Sequence, residues 1–273
     1  MKQLECMDGS IENEDDLKKQ YNPEGSALRK AQLKMLEMVV YLDKVCKENN
    51  ITYFIEGGNL LGAIRHGGFI PWDDDFDIVV KKNDFKKLVK ILKNNDSVFK
   101  LQDHETDKGH INFWAVLRDS KSRYIKNDIS HLAKKYQGVQ VDIFPFSCNV
   151  IRPFNRFISY FIIFNERYLV GRHKFLSELF YYIPKFIFIP LFRLFSFFIP
   201  KKTIGYDYGT IFTPKFSENR LFPCKKILFE NVELSAPKDI DYYLKTEYGE
   251  DYMKIPNKTD RNHHSIVNIE FFD

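Results

Sequence analysis

The chain has 273 residues, 44% of them apolar and 29% charged, which excludes wholesale disorder and leaves room for one large domain or two small ones. Its 41 basic residues against 37 acidic ones give a net charge of +4, too small a surplus to argue for nucleic acid, so no nucleic-acid partner is expected. Four cysteines without a Cys-x-x-Cys pair exclude a disulfide scaffold and a compact zinc ribbon.

Residues 1–24 are polar and acidic and read as a tail or a loose first helix. They lack the apolar core of a secretory signal, and no run of 18 uncharged apolar residues follows, so a cytoplasmic location without a spanning helix is expected. From Ala27, the residues Leu28, Met35, Leu36, Val39, Leu42, Val45 and Cys46 recur at steps that place them on one helical face, until Asn49-Asn50 breaks the pattern. Tyr53–Ile55 reads as a strand stopped by Gly57-Gly58. Asn59–Arg65 reads as a short helix with Asn59 at its N-cap, ended by Gly67-Gly68. Ile78–Val80 is a strand, Asn83–Leu92 a helix, and Phe113–Leu117 and Val139–Phe144 are strands. This alternation over 25–150 predicts an α+β core.

After Asn149 the composition shifts. Residues 151–200 hold 12 of the 26 Phe and seven Lys or Arg, with only Glu166 and Glu178 as acids and four prolines interrupting them. This stretch predicts a helical, Phe-rich, basic segment: an in-plane contact with an anionic membrane, or a subdomain packed on the core. Residues 201–273 return to mixed polarity.

The sharpest chemical signal is Glu56-Gly57-Gly58-Asn59-Leu60-Leu61-Gly62 followed by Pro71-Trp72-Asp73-Asp74-Asp75-Phe76-Asp77-Ile78. Four carboxylates within five positions repel one another unless cations neutralise them. Asp75 and Asp77, two apart at a strand start, point to one face and can hold a hard cation such as Mg²⁺, which prefers oxygen ligands. The alternative is a solvated acidic turn. Gly57-Gly58-Asn59 opens a helix, where free N–H groups can hold phosphate.

Residues 56–78 resemble the LicD family of phosphotransferases, which has fukutin-related relatives in animals and is a branch of the nucleotidyltransferase superfamily typified by DNA polymerase beta. Leu117-Arg118-Asp119, Val141-Asp142-Ile143-Phe144-Pro145, Leu221-Phe222-Pro223-Cys224, Tyr248–Met253 and Arg261-Asn262-His263-His264 extend the resemblance from about Leu28 to His264. Residue 59 is Asn where the family often has Ser or Thr.

The resemblance implies a nucleotidyltransferase-like mixed β-sheet core over 25–150, flanked by helices, with the helical insertion at 151–200 and a C-terminal section at 201–273 completing the active site. It implies that Asp142 joins Asp75 and Asp77 as catalytic metal ligands for Mg²⁺ or Mn²⁺, and that Gly57, Gly58 and Asn59 cradle nucleotide phosphate. Arg65 and Arg118 become candidate phosphate clamps. Asp73, Asp74, His66, His263 and His264 are further candidates, and Trp72 is expected to pack. The implied reaction moves a phospho-alcohol, phosphocholine being the leading case, from a CDP-alcohol donor to a sugar hydroxyl, releasing CMP. The implied acceptor is a surface glycan such as lipopolysaccharide, teichoic acid or capsule, or its lipid-linked precursor. Two rivals stand beside it: a nucleotidyltransferase acting on a sugar, alcohol or RNA, and a non-enzymatic membrane or assembly protein.

Overall fold

The computed structural model describes residues 2–126, 128–198, 203–261 and 269–272. The N-terminal stretch is not a tail. Strand β1 (Gln3–Glu5) pairs antiparallel with β2 (Ile11–Asn13), and the Asn13 side chain caps helix α1 (Glu14–Tyr21). Leu4, Cys6 and Leu17 are buried, and Cys6 makes a β-bridge to Ile255 near the other end of the chain. Three apolar side chains, spaced too widely to show a period, hold this segment to the core.

Helix α2 (Ala27–Glu48) follows the expected periodicity. Ser26 caps it by accepting from the Arg29 amide, and Met35, Val39, Leu42 and Cys46 are fully buried. Next come β3 (Tyr53–Ile55), α3 (Gly57–Arg65), β4 (Asp77–Lys81), α4 (Lys82–Asn94), β5 (Phe99–Gln102), β6 (Ala115–Asp119), β7 (Ser122–Tyr124), α5 (Ile129–Leu132) and β8 (Gln140–Cys148). The α3 cap is Glu56 rather than Asn59, which lies in the first turn. Gly57, at φ +53°, supplies the sharp entry from strand to helix.

The described residues form a mixed sheet around β8, as the α+β reading requires. β4 runs parallel to β8 on one side, with Asp77 opposite Asp142, and β3 runs antiparallel beyond β4. On the other side, the first half of β8 pairs with β6 and the second half with β9 (Ile204–Tyr206). Strand β10 (Lys215–Phe216) extends β9.

Between β8 and β9 the chain makes α6 (Arg152–Tyr168), α7 (Lys174–Ile183) and α8 (Ile189–Phe197). Pro184 does not end the helix. Lacking an N–H, it opens a π-helical stretch, Pro184–Phe188, that joins α7 to α8 without a break. Among the described residues this 24-residue helix, Lys174–Phe197, is long and apolar enough to cross a membrane by length and composition. Lys185 and Arg193 punctuate the apolar run without ending the helix. A small separate core of Ile111, Ile158, Ile162, Val170, Tyr181 and Tyr208 sits beneath these helices. The C-terminal section adds α9 (Glu218–Leu221), the hairpin β11 (Lys225–Phe229) and β12 (Val232–Ala236), α10 (Ile240–Tyr248), and β13 (Ile269–Phe271) against β7.

Candidate active site

The starts of β4 and β8, the first turn of α3 and the loop 71–76 come together. The side chain of Asn59 locks them together. Its Nδ2 donates to the Asp75 carbonyl at 3.1 Å, and its Oδ1 accepts from the Asp77 amide at 2.7 Å. The departure from Ser or Thr at this position therefore has a structural use, since one amide satisfies a donor and an acceptor on the Asp-x-Asp backbone at once. Gln32 of α2 holds the same loop by donating to the Asp73 carbonyl at 2.8 Å.

Substituting Asn59 with Ala is expected to lower stability by about 1–3 kcal/mol, because the half-buried Asp75 carbonyl and Asp77 amide lose their partners. Thermal unfolding measures it, and an unchanged midpoint would show that water replaces both bonds.

The Gly57 and Gly58 amides lie in the first turn of α3, where N–H groups have no partner within the helix. A Cβ on Gly58 would stand 2.6 Å from Asp73 Oδ2, so the bare glycine lets that carboxylate lie across the helix start.

Asp73, Asp74, Asp75, Asp77 and Asp142 are half-buried, and Glu56 is buried behind them. Burial, and then the charge of Asp75, push the Asp73 and Asp77 carboxyls well above the usual range. A hydrogen bond shared with Asp75 raises Asp73 further. Burial pushes Asp142 up to about 6, against the opposing pull of Arg118 and of a Trp114 hydrogen bond. Trp114 Nε1 donates to Asp142 Oδ1 at 3.0 Å, and Gln140 Nε2 donates to Oδ2 at 2.7 Å. Glu56 accepts from the hydroxyls of Tyr206 and Tyr243 at 2.6 and 2.8 Å, and burial pushes it up to about 7.

These are hard oxygen donors with excess negative charge, and that chemistry fits a divalent cation such as Mg²⁺ or Mn²⁺. Among the described residues no three His, Cys, Asp or Glu side chains are drawn into a metal-holding group. Both Asp142 oxygens accept from protein donors, and the carboxylates repel one another.

Other expected residues have different work. Arg65 is buried and donates from Nη1 to the carbonyls of Tyr252 and Lys254, at 3.1 and 2.9 Å, and from Nε to His66 Nε2 at 3.0 Å. Because His66 Nε2 accepts, its Nδ1 carries the proton and donates to Glu14 Oε2 at 2.7 Å. Burial lowers the His66 pKa, so the ring is a neutral link between α1 and α3. Arg118 is buried, with Nε on Gln102 and Nη1 on the Gly138 carbonyl at 2.8 and 2.9 Å. It reaches Asp142 through its field. Instead of clamping phosphate, both arginines bind protein acceptors. Asp74 adds charge beside Asp73. Trp72 packs edge-on against Tyr21 and His66, as expected of a packing residue. His263 and His264 lie outside the described residues.

The sequence reading gave no role to Glu56, Trp114, Gln140 or Gln32. Glu56 and Gln140 carried a weak signal, one directly before the glycine pair and the other two residues before Asp142 on the same strand face.

Residues 50–179 match the family model described as LicD/FKTN/FKRP, nucleotidyltransferase domain. A stretch of 64 residues is 42% identical to the lipopolysaccharide cholinephosphotransferase LicD of Haemophilus influenzae, covering 23% of this chain and 24% of that protein. An uncharacterised protein of Rickettsia prowazekii is 43% identical over 63 residues, 23% of this chain and 24% of that protein. The human ribitol 5-phosphate transferase FKRP is 44% identical over 48 residues, 18% of this chain and 10% of that protein. The matched stretches span about a quarter or less of these relatives' length.

Proposed function

We propose that this chain, which carries a LicD-family nucleotidyltransferase domain, is a phosphotransferase that moves a phospho-alcohol from a nucleotide-activated donor to a hydroxyl of a glycan. One observation carries the reading. Asn59 fastens the α3 start, suited to phosphate, to the Asp75–Asp77 backbone, and strand register sets Asp77 against Asp142. The printed activities of two relatives, cholinephosphotransferase and ribitol 5-phosphate transferase, share transfer of an alcohol phosphate and differ in the alcohol. CDP-choline is the leading donor, and lipopolysaccharide or another surface glycan the leading acceptor class.

The acceptor oxygen attacks the phosphorus that bears the alcohol, the bond from that phosphorus to the bridging oxygen breaks, and CMP leaves with that oxygen. The Gly57 and Gly58 amides hold the donor phosphates. The Asp142 carboxylate, oriented by Trp114 and Gln140, takes up the acceptor's proton. Asp75, Asp77 and Asp142 would hold Mg²⁺ or Mn²⁺, which neutralises charge on the transferring phosphoryl group.

The test is incubation with Mg²⁺, a glycan acceptor and a panel of CDP-alcohols and NTPs, followed by product analysis. CMP release with CDP-choline, CDP-ribitol or CDP-glycerol supports the reading and names the donor. Pyrophosphate release from an NTP alone moves the assignment to nucleotidyl transfer. No product from any donor overturns it.

A further inference from the structure

A cleft of about 760 Å³ lies between α4 and the α7–α8 helix. On α4, Lys82, Lys86, Lys90 and Lys93 all line it, at steps of four, four and three that keep them on one face. Phe186, Ile189 and Pro190 line the opposite wall. Lys82 is paired with Asp207, and Lys93 with Asp103 and Glu105. Lys86 and Lys90 are exposed, and neither has an ion pair or hydrogen bond among the described residues.

The helix itself is largely bare. Phe175, Phe186, Phe197 and Phe198 are 65–80% exposed, and Leu176, Leu179, Ile187, Leu191 and Leu194 are exposed beside them. Monomeric soluble proteins rarely leave so continuous an apolar face open.

We propose that this face and the lysine stripe together form a docking surface for an anionic phospholipid bilayer. The α7–α8 helix lies in the membrane plane with its bare side chains among the acyl chains, and Lys86 and Lys90 meet the headgroups. Charge complementarity selects this occupant, since Lys86 and Lys90, with no partner among the described residues, line the cleft across from the apolar wall. The helix lies in the plane because both of its halves are fastened to the domain. The Tyr181 ring stacks on His104 at 3.6 Å between centroids, and Arg193 Nη2 contacts Asp207 at 2.6 and 2.8 Å. A helix crossing the bilayer would have to give up both attachments.

The test is co-sedimentation of the full chain with vesicles of phosphatidylcholine, with and without phosphatidylglycerol, over a range of salt. Binding is expected to need phosphatidylglycerol and to weaken with salt. Each lysine near an anionic surface contributes about fivefold in partitioning. Lys86→Ala with Lys90→Ala should therefore cost roughly 30-fold, with an unchanged unfolding midpoint because neither side chain has a partner among the described residues to lose. Phe175→Ser with Phe197→Ser should cost more, by removing the buried apolar area. Equal binding to neutral vesicles, no loss in the lysine pair, or a soluble dimer that ignores vesicles would overturn the proposal, the last naming a second copy as the occupant. Retention in carbonate-washed membranes would overturn it in favour of a spanning helix. The readout needs no turnover, so it stands or falls independently of the phosphotransferase reading.

Discussion

Asp77→Asn is expected to lower phosphoryl transfer by roughly 10³-fold while making the metal-free protein more stable. On the proposed reading, the loss follows from removing a ligand to an ion that would supply several kcal/mol of transition-state charge stabilisation. The gain follows from the repulsion at the site, since burial and the charges of Asp75, Glu56 and Asp142 oppose ionisation of Asp77. The sign with pH is set by linkage. A carboxyl whose pKa is raised in the folded state binds more protons there than in the unfolded chain. Its stabilising contribution is complete below the unfolded value and is lost as pH rises through the folded value. With Asp142 near 6 and Glu56 near 7, the wild type in EDTA should lose stability from about pH 4 to pH 7. Mg²⁺ should restore it, and Asp77→Asn should flatten the slope. Thermal unfolding at several pH values, with EDTA and with Mg²⁺, measures all three. Full turnover in the variant would refute the ligand assignment, and a lower midpoint at every pH would refute the repulsion account.

Asp207→Ala is expected to loosen the helical segment while leaving the sheet intact. Asp207 is 3% exposed and accepts from Lys82 at the start of α4 and from Arg193 on α8. Burial would raise its carboxyl, but the two cations hold it below the usual range. Removing one partner of a buried ion pair usually costs 3–5 kcal/mol. Because the Lys82 and Arg193 side chains are each about a third exposed and can turn to water, about 2–3 kcal/mol is expected here. Hydrogen exchange should quicken through α7 and α8 while β4 and β8 stay protected. Uniform quickening would mean that the helices and the sheet unfold as one unit.

The parts of the fold written in local pattern were legible. The α2 periodicity, the apolar strands and the Asp-x-Asp entering β4 all depend on neighbours within a few residues. What was missed depends on partners far along the chain. Arg65 looks like a phosphate clamp until the carbonyls of Tyr252 and Lys254 fold against it, almost 190 residues away. Glu56 looks like part of a turn until Tyr206 and Tyr243 close on it. Lys185 and Arg193 break the apolar run as text, yet Arg193 is spent on Asp207 and Lys185 on the Tyr181 hydroxyl. The N-terminal strands were illegible for the same reason, because their anchor is Ile255.

The parallel pairing of β4 with β8 has a consequence for how such a protein can diversify. Asp77 faces Asp142 because two adjacent strands share a register, and that register does not depend on the length of what connects or follows them. The connection through residues 82–139 leaves from one end of β4 and returns at the other end of β8, and the helices at 152–197 hang from the far end of β8. The helices can lengthen, shorten or change composition without moving the carboxylates, whereas the connection carries β6 and Trp114, which hold Asp142 in place. The reacting centre is thus insulated from the segments free to specialise toward new acceptors or surfaces. A lineage can keep one chemistry while exchanging the context in which it is used.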